Sequence, residues 1–165
     1  MAERTPIARF ERMSRVSSRN TKPEMIVRRG LHAPGYRYRL HVRVLLGSPD
    51  LVLPRYSAVV LVNGCFWHTH EGCKNFRFPK SNSEFWKEKL IRNIERDQEQ
   101  IQQLNNSGWR VLVVWECATR GEHTKKIDRS HRGMVAWLHG CMVSKWSAQY
   151  QPNRKTRETT RIRKE

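Results

Sequence analysis

Residues 64–73 read GCFWHTHEGC, a stretch in which Cys65 and Cys73 bracket His68 and His70 and in which Phe66 and Trp67 are neighbours. Thiols and imidazoles at this density can ligate a metal. A lone imidazole among them can also move a proton, and the aromatic pair can stack on a flat partner. The run follows the apolar residues Val59, Val60, Leu61 and Val62, so it should be a loop at the end of a buried strand. Cys65, His70 and Cys73 follow the spacing C-x4-H-x2-C, and Cys117 arrives just after a second apolar run, Val111 to Val114. Zinc in a structural site takes four such ligands in a closed tetrahedron, and strand ends of one sheet can bring distant ligands together. His68 is the competing fourth ligand. Alternatively, Cys65 and Cys117 are ordinary buried thiols. Cys141 stands apart from the set.

Two carboxylates add to this. Pro49-Asp50 stands where a short strand should begin, with a second strand close behind. That topology suits an acidic residue holding Mg2+ beside a scissile phosphate, although Pro-Asp also serves as a plain turn. Farther along, Leu90, Ile94, Ile101 and Leu104 form the inward stripe of a long helix, and Asp97 falls on that stripe with Asn93 one turn before it. A carboxylate on an apolar face costs several kcal/mol unless partnered. Its expected partner is a histidine or a metal's water shell at the end of the sheet, with pairing to Arg96 as the alternative. Glu24 is accounted for by helix capping alone.

The elements that must position these groups follow from periodicity and punctuation. Thr21-Lys22-Pro23-Glu24 opens a helix with a capping box, and Pro34-Gly35 stops it. Residues 36–40 alternate as a half-buried strand would. Gly47-Ser48-Pro49 is a turn before strands at 50–53 and 57–62. Ser83 caps a helix running to about Asn106 and ended by Ser107-Gly108. Arg110–Trp115 reads as a central buried strand, and a final helix is expected around residues 132–138. The fold class is a mixed α/β (α+β) domain with one central sheet over residues 21–150. A flexible basic arm precedes it at 1–20, and a basic, disordered tail follows at 151–165.

The 165 residues carry 32 Lys+Arg against 15 Asp+Glu, a formal net charge of +17. That is the footprint of a polyanion binder. No stretch approaches the roughly 20 apolar residues of a membrane-spanning helix, and the first residues lack a secretory core. A cytoplasmic protein with reduced thiols is expected, which favours metal over disulfides. Phe66, Trp67, Phe85 and Trp86 lie among Lys74, Arg77, Lys80, Lys87 and Lys89. Aromatics so surrounded can wedge between base steps, although any one of them could equally be core.

Together, Pro49-Asp50, Gly64-Cys65-Phe66-Trp67-His68, Phe85-Trp86 with Asn93 and Arg96-Asp97, and Gly108-Trp109-Arg110-Val111 running into Trp115-Glu116-Cys117 resemble the very short patch repair (Vsr) DNA mismatch endonucleases. The resemblance implies a PD-(D/E)xK restriction-endonuclease-like core that nicks one strand of double-stranded DNA 5′ to the T of a T:G mismatch, the product of 5-methylcytosine deamination. It implies that Asp50 ligates a catalytic Mg2+ with the backbone carbonyl of Val62. His68 would be the catalytic imidazole oriented by Asp97, Glu24 would support the site, and Asn93 would reach the metal's water shell. Structural Zn2+ would sit on Cys65, His70, Cys73 and Cys117. Phe66, Trp67 and Trp86 would intercalate from one groove while the arm, with Met13, enters from the other. The implied protein is a monomer associated with the bacterial nucleoid, handing its nick to downstream repair proteins. Two departures stand out. Asn63 occupies a position where better-known members carry histidine, so reduced or altered activity is expected. The loop between His70 and Cys73 also varies in length across the family. The other readings are a restriction endonuclease cutting matched DNA and a zinc-stapled DNA-binding module without catalysis.

Overall fold

The computed structural model describes residues 19–120 together with Met134, Val135, Leu138 and His139. The arm, including Met13, the tail and Cys141 lie outside the described residues, as does most of the helix expected at 132–138.

The order of elements is helix α1 (Lys22–His32), strands β1 (Arg39–Leu40), β2 (Leu51–Leu53) and β3 (Ala58–Asn63), helix α2 (Ser83–Asn106) and strand β4 (Arg110–Trp115). Short 3-10 turns follow β2 (Pro54–Tyr56) and β4 (Glu116–Thr119). The sheet runs β1-β2-β3-β4. The first two pairings are antiparallel, and β3 and β4 are parallel. A parallel neighbour needs a long crossover, and the Cys/His loop with α2 supplies it.

Period-two alternation explains the layering. Ala58, Val60, Leu112 and Val114 pack on one face with Val27 and Leu31 of α1. Val59 on the other face meets Leu104 of α2, while Leu61 and Val113 join Cys65 and Trp115 beside Ile101. The sheet is therefore covered on both sides, which is why β3 and β4 read as continuous apolar runs. No helix among the described residues is long and apolar enough to cross a membrane.

The capping box forms as expected: the Glu24 N–H donates to Thr21 Oγ1 at 3.4 Å, and the Thr21 N–H donates to Glu24 Oε2 at 3.3 Å. Thr21→Ala is expected to cost about 1 kcal/mol, read as a lower midpoint in denaturant with an unchanged slope.

Two boundaries differ from expectation. Strand β1 is only two residues long, because the Tyr36 N–H is spent on the Leu31 carbonyl at 3.1 Å. Gly35 at φ +94° makes that return possible, and Tyr36 turns into the core beside Tyr56. Helix α2 begins at Ser83 itself, not after it. The capping position belongs to Asn82, whose left-handed backbone (φ +52°) leaves its side chain without a capping bond.

Candidate active site and metal centre

The parallel register aligns Asn63 with Trp115, so β3 and β4 end together. Cys65 and Cys117 each lie two residues beyond. Between them the chain turns tightly: the His70 N–H donates to the Cys65 carbonyl at 2.9 Å and the Cys73 N–H to the His70 carbonyl at 3.2 Å. Thr69 and Gly72 take positive φ in these turns. The result gathers Cys65, His70, Cys73 and Cys117, with all four ligand atoms within 4.8 Å of one another. His70 Nδ1 lies 3.6 Å from Cys65 Sγ and 3.4 Å from Cys117 Sγ. A tetrahedral zinc with ordinary bond lengths separates N and S ligands by about 3.6 Å, so the set fits the ion.

The electrostatics agree. Burial, compounded by the charge of Cys117, pushes the Cys65 thiol up to about 12, and burial likewise raises Cys117. Thiols this close ionise together only against a dication. Burial lowers His70, keeping its imidazole neutral as a ligand must be, and the ring lies flat on Trp115, 4.1 Å between centroids and 6° between planes. The Asn75 N–H donates to Cys73 Sγ at 3.4 Å. The Cys/His cluster is thus consistent with a structural zinc site, and the imidazole it gathers is that of His70 rather than His68.

His68, two residues earlier, faces the opposite way. Its Nδ1 hydrogen-bonds to Asp97 Oδ2, which answers what the buried carboxylate of α2 is for. Asp97 is 6% exposed, on a stripe with buried Leu90 and Leu104. The alternative partner, Arg96, instead donates to Asn93 Oδ1 at 3.2 Å. Asn93 Nδ2 in turn donates to the Trp67 carbonyl at 3.0 Å, tying the loop to the helix at the residue before His68 as well.

Asp50 sits just before β2, and its Oδ2 accepts the Val62 N–H at 2.7 Å across the hairpin. The structure thus joins Asp50 to Val62 through the amide. Glu24, 1% exposed, reaches the same place from α1. Its Oε1 accepts from Arg28 Nη2 and lies 3.2 Å from His41 Nε2. Glu24, His41 and Asp50 have ligand atoms within 4.8 Å of one another, a set that could hold a divalent cation. Asn63 is buried at the end of β3.

Burial raises the Asp50 carboxyl above its usual range. The Val62 amide opposes this, Glu24 adds to it, and His41 and His68 oppose it. With the folded value above the unfolded one, the penalty is absent in acid, grows as pH rises through the folded value and is complete at neutral pH. Asp50→Asn keeps an acceptor for the Val62 amide and removes the charge. Without added divalent cation it is expected to raise Tm at neutral pH, by about 2–4 °C per kcal/mol relieved. The gain should shrink toward about pH 4.

Phe66, Trp67 and Trp86 form one cluster, with centroids 5.2 Å (Phe66–Trp67), 5.3 Å (Phe66–Trp86) and 6.2 Å (Trp67–Trp86) apart. All are half-buried, whereas Phe85 is 46% exposed. The outward member of the second pair is therefore Phe85. Lys89 Nζ lies 5.6–5.7 Å from the centroids of Trp67, Phe85 and Trp86.

Sequence reading missed His41, Arg28 and Glu116. Glu116 Oε2 accepts the Cys65 N–H at 3.3 Å. The signal for His41 was the hairpin register: Leu40 pairs with Leu51, so the next residue falls opposite Asp50.

A covered mixed sheet thus carries a carboxylate cluster, a His–Asp pair and an aromatic loop joined to a Cys/His cluster. The sequence model described as DNA mismatch endonuclease Vsr matches residues 2–75. A type II nicking enzyme of Xanthomonas oryzae pv. oryzae, V.XorIIP, is 47% identical over 113 residues, 68% of this chain and 82% of the relative. V.NmeAIP, a type II nicking enzyme of Neisseria meningitidis, is 43% identical over 67% of this chain and 78% of its own length. The DNA mismatch endonuclease Vsr of Escherichia coli K12 is 37% identical over 80% of this chain and 84% of its own. The chain belongs to the Vsr family of DNA mismatch and nicking endonucleases.

Proposed function

We propose that this protein nicks one strand of double-stranded DNA 5′ to the T of a T:G mismatch, by Mg2+-dependent hydrolysis, in very short patch repair. The observation that carries the reading is the pairing of His68 with Asp97 at the strand ends that also hold Asp50 on the Val62 amide. The names of the relatives, a mismatch endonuclease and several nicking enzymes, support a single-strand cut.

Asp50, with the Val62 carbonyl, would hold the cation, and Glu24 would support it from α1. When bound, Mg2+ neutralises charge on the scissile phosphate and favours a water nucleophile. Asp97 fixes the His68 ring through Nδ1, leaving Nε2 to exchange a proton with the reacting groups. Asn93 steadies the backbone next to His68 through the Trp67 carbonyl, and its Oδ1, which Arg96 now bonds, is the atom that would face the cation's water shell. Phe66, Trp67 and Trp86 insert beside the mispair, with Met13 of the arm entering from the other groove. A T:G wobble is easier to unstack than a matched pair, so insertion itself discriminates. The +17 charge supplies phosphate affinity.

End-labelled duplexes with Mg2+, carrying T:G, T:A or C:G in varied flanking contexts, test the reading. A single nick beside the T of T:G alone is expected. Double-strand cutting of matched DNA would replace it with a restriction enzyme, and binding without cutting in every context would leave a zinc-stapled binding module.

A further inference from the structure

We propose that His41 is a direct metal ligand, completing with Glu24 and Asp50 an imidazole–dicarboxylate set that favours Mn2+ over Mg2+. The inference rests on the nuclease reading of the Asp50 site and adds a residue and a selectivity to it.

Three observations carry it. The ligand atoms of Glu24, His41 and Asp50 lie within 4.8 Å of one another, the spread that one coordination sphere spans. Backbone pairing fixes His41 there: β1 and β2 align Leu40 with Leu51, and the His41 N–H donates to the Asp50 carbonyl at 3.4 Å. His41 also takes φ +46°, a left-handed conformation that a non-glycine residue adopts at a cost, and in it His41 Nε2 lies 3.2 Å from Glu24 Oε1.

The chemistry then sets the selectivity. Mg2+ demands oxygen ligands in near-octahedral order and keeps several waters, so one or two carboxylates suffice for it. An imidazole adds little to that sphere but is a good donor to first-row transition ions. Arg28 Nη2 bonds Glu24 Oε1 and lies 3.2 Å from His41 Nε2, so its guanidinium competes with a cation for the same two groups. An ion that gains a nitrogen ligand is better placed to displace it than one that does not.

The test is Mn2+ binding to the zinc-loaded full chain, followed by electron paramagnetic resonance with nitrogen modulation of the spin echo. Mn2+ is the probe because it does not displace zinc from thiolates. His41→Gly removes the imidazole at a backbone angle that glycine accepts without strain. Nitrogen coupling is expected in the native chain and in His68→Ala, and is expected to vanish in His41→Gly. There Mn2+ affinity should fall about tenfold or more, while Mg2+ affinity by competition should change less than about threefold. Coupling that is absent from the native chain, or that persists in His41→Gly, overturns the inference whether or not that variant is well folded. Native chain that nicks T:G DNA with Mg2+ yet shows no coupling leaves the nuclease reading intact and removes only this one. Coupling without nicking does the reverse.

Discussion

His68→Ala is expected to lower the single-turnover nicking rate on T:G duplex by about 10²–10⁴-fold, the usual worth of a positioned acid/base group, with duplex affinity nearly unchanged. The expectation follows from how the ring is held. Its Nδ1 is engaged by Asp97 Oδ2, and Asp97 is buried on the inward stripe of α2, so the carboxylate has no competing solvent and fixes one tautomer. Asp97→Asn separates orientation from charge. An amide can accept from Nδ1–H through its oxygen, but it can also present its N–H and trap the opposite tautomer. It should therefore slow nicking by a large fraction of the His68→Ala effect and shift the pH–rate profile, a readout that mere loosening of α2 would not move. The double variant should be little worse than His68→Ala alone, since residues acting as a unit are strongly non-additive. Additive losses would mean that Asp97 acts elsewhere than through His68.

Asp97 also shows how much of the site was legible before any coordinates. A carboxylate among Leu90, Ile94, Ile101 and Leu104 announces a buried partner because an unpaired charge there is costly, and helical periodicity alone locates it. The capping box at Thr21 and Glu24 was legible for a similar reason, being a rule over four consecutive residues. His41 was not. It becomes a neighbour of Asp50 only through the pairing of Leu40 with Leu51, and register is set by which hairpin face is buried rather than by either strand's own residues. Tyr36 likewise looked like the start of a strand. Its amide went instead to the C-terminus of α1, a decision taken by the Gly35 turn. The choice between His68 and His70 as zinc ligand had no answer in spacing, since both stand at workable distances from Cys65 and Cys73. It is made by the loop's turns, which bring the His70 ring to Cys65 and Cys117 and leave the His68 ring against Asp97.

Those turns also tie stability to chemistry, and the consequence is the largest stability effect expected here. Native mass spectrometry is expected to find one bound zinc in the native chain and none after Cys117→Ser or stripping by a strong chelator. Tm should fall by about 10–20 °C, several kcal/mol at 2–4 °C each. Loss of one ligand leaves two thiols and an imidazole crowded within 4.8 Å with no cation to balance a thiolate, and the Cys65 thiol among them is buried. Cys141→Ser, outside the set, should keep the metal. The damage should not stop at stability. His70 and His68 are separated by one residue, and the Trp67 carbonyl is the acceptor for Asn93, so releasing His70 from the zinc frees the segment that aims His68 and the aromatic cluster. Nicking should therefore fall well below the folding transition, at temperatures where far-UV circular dichroism still reports an intact sheet and helices. Near-UV dichroism should lose the signature of Trp115, whose ring is stacked on His70. If activity and secondary structure instead disappeared together, zinc would be holding the whole domain rather than the loop. The strand pairings from Ala58 to Asn63 against Arg110 to Trp115 argue against that, because the face packed by α1 contains none of the zinc ligands and only the Cys65 end of the other face touches them.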